Sequence, residues 1–273
     1  MSGQPLSAPL PETLAQAALA VMASADPADK VALTRRFTNA WCAGAITDPG
    51  TANLPDRPAR PDRPPLLSPR DMPKRKLGGE AGRAAFVHAI AHIELNAIDL
   101  AWDITARFTD EDMPQAFYDD WAQVARDEAE HFDMLNRRLL DLGSAYGAMP
   151  AHDGLWQAAE DTRDGLLARL ALVPMVLEAR GLDTAPDAVK RLQSAGDGAT
   201  AAILARIGDE EIPHVAAGVR WFEFLCDRRG LEPESTFQNL VRTRFQGRVK
   251  GPFNHAARDL ANFPERYYLP LAA

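Results

Sequence analysis

The sequence predicts an all-α protein, and three observations carry that expectation. Of 273 residues, 48 are alanine and 30 leucine against 19 valine plus isoleucine, so helix formers dominate and β-branched strand formers are scarce. Apolar residues recur at helical spacing through 11–46 and 80–227. Proline and glycine interrupt these stretches where helices would start and stop. The apolar fraction of 46% is enough to fill a sizeable core.

The elements follow in order. Residues 1–46 read as an N-terminal helical pair: Pro11 opens the first helix, Asp26-Pro27 caps and starts the second, and the second ends near Gly44. Residues 47–79 form a Pro/Arg-rich linker with eight prolines between Pro49 and Pro73, too poor in periodic apolar residues to fold alone. There Arg57, Arg60, Arg63, Arg70, Lys74, Arg75 and Lys76 outnumber Asp56, Asp62 and Asp71, which reads as a solvated strap over an acidic body. Residues 80–230 carry the main helices: 80–107, a turn through 109–114, a second helix to Leu142, a Gly/Pro-containing connection at 143–154, a third helix over 162–181, a short one at 186–195, a break at 196–198, and a fourth to about Asp227. Residues 231–273 add a small helix at 233–245 and an irregular tail. Pro174 and Pro213 fall inside helices and predict kinks.

Several function classes drop out. No apolar run reaches about 18 residues, so neither a membrane span nor a membrane partner is expected. The apolar stretch at 14–25 has no positive residue before it, the first being Lys30, so a secretory signal is not expected. Cys42 and Cys226 form no CxxC, which excludes a disulfide framework, a zinc ribbon and a rubredoxin-type iron centre and favours a cytoplasmic address. A net charge of −8 disfavours a general nucleic-acid binder.

The chemistry lies in two segments of one pattern, Asp127-Glu128-Ala129-Glu130-His131 and Glu210-Glu211-Ile212-Pro213-His214. In each, Glu-x-x-His places carboxylate and imidazole about 60° apart on one helix face. The other two long helices offer lone glutamates in apolar settings, Glu94 and Glu178. The spacings nearly repeat, 34 residues from Glu94 to Glu128 and 33 from Glu178 to Glu211. All four glutamates except Glu178 lie within explicit apolar stripes: Val87, Ile90, Glu94, Ile98; Trp121, Val124, Glu128, His131, Leu135; and Leu204, Ile207, Glu211, His214, Phe222. Carboxylates in a core must be neutralised, and four of them with two imidazoles imply two divalent metal ions, iron or manganese by their preference for oxygen and nitrogen donors. A Glu from each of two helices and Glu-x-x-His from two others is the pattern of ferritin-like di-metal bundles. His92 lies about 200° from Glu94 and is expected in a packing or surface role; His88, at about 120°, is the less remote of the two.

The whole chain also resembles the uncharacterised ferritin-like proteins of the domain-of-unknown-function family 455. HIELNAIDLAWD, DEAEHF, PMVLEARGLD, DEEIPHVAAGVRWF and GPFNHAAR carry the resemblance. It implies a ferritin-like four-helix bundle with a long crossover between its second and third helices, for which 143–161 is long enough. By similarity to such sites, Glu94 and His131 would hold one metal, Glu178 and His214 the other, and Glu128 and Glu211 would bridge. Asp127 and Glu210 would orient a histidine of the opposite helix.

The expected function is an oxidoreductase that activates dioxygen or peroxide at two iron ions, or manganese and iron, acting on an unidentified small substrate with an unidentified electron donor. Leu135 stands where a radical-type site would by resemblance carry a tyrosine, and His214 is a ligand that storage ferritins usually lack. RNA is a weaker expectation, favoured by the tRNA-hydroxylase likeness and by Arg242, Arg244, Arg248 and Lys250, and opposed by the net charge. The alternative of a different class is a non-enzymatic iron or manganese protein serving storage, delivery or structure.

Overall fold

The computed structural model describes residues 9–68, 71–73 and 79–273. It is all-α apart from one pair of two-residue strands, and the chain divides into two compact units at Trp156/Gln157.

In the first unit, α1 (Leu14–Ala23) is capped by Thr13, whose side chain accepts the Gln16 N–H. The expected start at Pro11 moves inward because the hydroxyl supplies the cap. Helix α2 (Pro27–Cys42) begins as anticipated: Asp26 accepts from the N–H groups of Ala28 and Asp29, with Pro27 in the first turn. Two long helices, α3 (Gly79–Arg107) and α4 (Gln115–Asp141), pack along each other, with α1 against α3 and α2 against α4.

Helix α3 is long and apolar enough to cross a membrane, but 72% of its most apolar window is buried in the protein. From Glu94 to Ala106 every residue is buried. A helix enclosed on all sides must find partners for each polar side chain within the protein. Asn96 donates to the His92 carbonyl, Asp103 pairs with Arg107, and the Thr105 hydroxyl donates to the Ala101 carbonyl. Asp99 takes Lys30 of α2, itself fully buried, at 2.5 Å and Arg60 of the linker at 3.2 Å. Burial lowers the Lys30 pKa, and Asp99 partly restores it.

The described part of the linker is pinned to this unit at several points. Ala59 N–H donates to the Met22 carbonyl, Arg60 also reaches Asn96, Arg57 pairs with Asp153, and Trp156 Nε1 donates to the Asp56 carbonyl. Strand β1 (Leu66–Leu67) pairs in parallel with β2 (Ala151–His152). Arg70, Lys74, Arg75 and Lys76 lie outside the described residues.

The connection after α4 holds a further helix, α5 (Gly154–Asp161), which the sequence does not predict.

In the second unit, α6 (Leu166–Leu172), a π-helical segment (Val173–Glu178) and α7 (Ala179–Ser194) run on from one another, and α8 (Gly198–Arg228) packs against α7 and the π segment. The expected third helix thus starts later and carries a widened turn. Pro174 has no N–H and its ring crowds the carbonyl four residues back, so the wider π turn is the relief. Opposite it, a Cβ on Gly218 of α8 would come 2.5 Å from the Pro174 Cβ, so only glycine fits at that approach. The expected break between 181 and 186 is absent. Pro186 is exposed, and the Leu182 carbonyl that it leaves without a helix donor accepts from Asn254 Nδ2 at 3.1 Å. Helix α9 (Pro233–Arg244) is followed by two short helices in the tail, α10 (His255–Leu260) and α11 (Glu265–Tyr268).

Breaking the buried ion pair tests the organisation of the first unit. Asp99→Ala leaves Lys30 charged or deprotonated in a closed core and should destabilise by about 3–5 kcal/mol. Arg60→Ala, which leaves the Lys30–Asp99 pair intact, should cost clearly less. Urea unfolding of the two variants checks the order.

Candidate metal centre

Helices α3 and α4 bring three sequence-identified donors together in the first unit. Glu94, Glu128 and His131 are 4%, 1% and 0% exposed, and their ligand atoms lie within 4.8 Å of one another. His131 Nδ1 stands 3.4 Å from Glu128 Oε2 and 3.5 Å from Glu94 Oε2. The first distance follows from the i,i+3 relation on α4, and the second from the lengthwise packing of α3 on α4.

The electrostatics show what the cluster lacks. Burial, and then repulsion from Glu128, push the Glu94 carboxyl well above its ordinary range, against the opposing pull of His131. Burial alone would lower the His131 pKa, but its hydrogen bonds and Coulombic attraction to Glu128 and Glu94 outweigh that and raise it to about 11. The site therefore holds protons that water would remove, because two carboxylates cannot both stay charged in a low-dielectric pocket without compensating positive charge. Carboxylate oxygens and an imidazole nitrogen in close range form a donor set able to hold a divalent metal ion.

The second unit repeats the local geometry. On α8, His214 Nδ1 stands 3.5 Å from Glu211 Oε2, the same i,i+3 relation as on α4, and both residues are buried. Glu178 is the last residue of the π segment and is half-buried.

The flanking acids have partners on their own helices: Asp127 accepts from Gln123 Nε2 at 2.8 Å, and Glu210 pairs with Arg206 at 3.0 Å. Glu130, which the helical period turns away from Glu128, binds Arg35 of α2 at 2.7 Å. His92 has the packing role expected of it. Its Nε2 faces the His152 carbonyl, so Nδ1 is the acceptor for the Tyr146 hydroxyl at 2.8 Å. The Tyr146 ring stacks with His88, whose Nε2 accepts the Gly147 N–H.

The sequence reading missed the Lys30–Asp99–Arg60 network and the contacts of the tail motif GPFNHAAR. Two signals were present: a lysine within the apolar spacing of α2 and an aspartate in the most apolar stretch of α3. Neither has a partner nearby in sequence.

An all-α chain with a buried carboxylate–imidazole cluster on paired helices defines the class. Within it, the chain belongs to the family described as "Protein of unknown function (DUF455)", whose model matches residues 23–269. A Haemophilus influenzae protein described as "Uncharacterized protein" is 42% identical over 212 residues, covering 76% of this chain and 74% of its own length. No solved structure matches the chain.

Metal-free protein should lose stability as pH rises. Glu94 and His131 both have raised pKa values in the folded state, so their protonated forms favour folding below the ordinary ranges near 4.5 and 6.5. That contribution is lost as pH climbs through the folded values, for His131 toward about 11. Melting temperatures of chelator-treated protein measured from pH 6 to 9 should fall, and Glu94→Gln should flatten the fall. A second check uses neighbours on α4: Glu128→Gln should weaken binding of manganese(II) or iron(II) at least tenfold, whereas Glu130→Gln should leave it unchanged.

Proposed function

We propose that this chain is a ferritin-like di-metal carboxylate protein, an oxidoreductase that activates dioxygen or peroxide at two iron ions or at manganese and iron. In this reading α3, α4, the run from α6 to α7, and α8 are the four helices of the bundle. Glu94 and His131 would hold one ion, Glu178 and His214 the other, with Glu128 and Glu211 available to both. The observation that carries the reading is the buried Glu94–Glu128–His131 cluster, supported by the same Glu-x-x-His geometry at Glu211 and His214.

The donor chemistry fits the group. Four carboxylates offset the charge of two divalent ions, and the histidines add one nitrogen to each. Bound redox-active metals would supply the electrons that reduce dioxygen or peroxide. The chain's own residues would hold those ions, Glu128 and Glu211 among them, and buried apolar residues one turn from the ligands on α4, such as Val124 and Leu135, would keep bulk water out. In this reading Asp127 and Glu210, beside their pairs with Gln123 and Arg206, would each orient a histidine of the opposite helix.

Elemental analysis of protein loaded anaerobically with iron(II) should find close to two ions per chain. Exposure to oxygen should then consume dioxygen and change the visible spectrum. A plateau at one ion or fewer defeats the two-metal reading. Two ions with no oxygen or peroxide consumption would support a non-enzymatic metal protein instead.

A further inference from the structure

The motif GPFNHAAR near the C-terminus grips the helix that follows a proposed ligand. Asn254 N–H donates to Asp183 Oδ1 at 2.9 Å, and its side-chain amide donates to the Leu182 carbonyl. Arg258 is 3% exposed and makes a two-point pair with Asp183, Nε to Oδ1 at 2.9 Å and Nη2 to Oδ2 at 2.8 Å. Its Nη2 also reaches the Ala179 carbonyl at 3.4 Å. The guanidinium lies over Tyr268 at 4.3 Å, with Phe253 and Phe263 at 5.1 and 5.2 Å. Three aromatic rings and one carboxylate therefore fix a single cation against the first turn of α7.

That turn is where the π segment ends. Glu178 is its last residue and Ala179, held by Arg258, is the next. A π turn is a local excess of one residue over the α ladder. Closing it to α shifts the register by one and rotates the adjoining side chains by about 100°. Pro174, seated against Gly218, opposes that closure from the N-terminal side. The Arg258–Asp183 grip does so from the C-terminal side.

We propose that Arg258 is a positioning residue for Glu178, holding the π-to-α junction in the register that presents this carboxylate to metal. The proposal rests on the reading of Glu178 as a ligand. A lysine cannot replace the arginine, because one ammonium cannot pair in fork geometry with Asp183 and also bond to the Ala179 carbonyl.

The test uses two full-length variants, the double substitution Arg258→Leu/Asp183→Leu and the single Arg258→Lys. The double change removes the pair without leaving a lone buried charge, so it spares the fold the cost of an unpaired ion. Arg258→Lys leaves Asp183 a cationic partner and covers the case in which the double variant fails to fold. Amide hydrogen exchange of residues 175–182 is read in metal-free protein. Binding of cobalt(II), by stoichiometry and by its visible ligand-field absorption, is read in parallel. In both variants exchange should quicken at least tenfold across this segment, while α3 and α4 keep wild-type protection. Bound cobalt should fall from two ions to one, with loss of one of two absorbing components.

A folded variant that keeps slow exchange overturns the grip. Fast exchange with both cobalt ions retained at wild-type affinity overturns the positioning role. If wild type itself binds only one cobalt ion, the two-metal reading fails, and Glu178 has no ion for Arg258 to serve.

Discussion

The structure of the first unit depends on one constraint: α3 is closed off from water over its C-terminal half, yet it carries carboxylates there. An ionised carboxylate in such surroundings is costly unless it is paired. The three acids on this stretch are handled in three ways. Asp103 uses Arg107 on its own helix, and Asp99 draws in Lys30 from α2 and Arg60 from the linker. Glu94 has the neighbouring acid Glu128, with the His131 imidazole close to both. The first two arrangements are complete as ion pairs and tie distant segments to the core. The third is short of positive charge, which sets it apart as a place for chemistry.

Much of this was legible in the sequence because it is periodic. The positions of α2, α3, α4 and α8 follow from apolar spacing and from Asp26-Pro27 and Asp197-Gly198 at their starts. The meeting of Glu94 with Glu128 and His131 follows from matched heights on antiparallel helices, Glu94 lying 13 residues before the end of α3 at Arg107 and Glu128 13 after the start of α4 at Gln115. What periodicity cannot show is pairing across long separations: Lys30 with Asp99 spans 69 residues, and Arg258 with Asp183 spans 75. The same limit explains α5, whose eight residues sit within a Gly-containing connection. It explains Pro186 too, a helix breaker by local rule that survives inside α7 because Asn254 satisfies the carbonyl it orphans.

The two long helices of the Glu-x-x-His motif differ in what surrounds them. On α4 the motif lies in an unbroken helix beside an equally regular partner. On α8 it contains Pro213, and the companion glutamate in the second unit, Glu178, sits at the end of a π segment. Each irregularity removes a backbone hydrogen bond from a helix that carries a proposed ligand. Such departures persist where surrounding contacts over-determine them, and here those contacts are specific: Gly218 admits the Pro174 ring, while Asp183, Arg258 and three aromatic rings hold the next turn. The regular half is explained by helix periodicity alone, whereas the irregular half needs the tail.

Proton and metal occupancy of the first-unit cluster are alternatives for the same deficit of positive charge. In the metal-free protein the deficit is met by protons on Glu94 and His131, which is why their pKa values rise although burial by itself would raise only the acid's. A divalent ion needs the carboxylate ionised and the imidazole neutral, so its binding expels both protons. Metal affinity must then strengthen with pH over the range in which the metal-free fold weakens. One pocket cannot be optimised for both states: the buried, acid-rich packing that makes the empty protein less stable in alkali is the packing that makes a cation welcome.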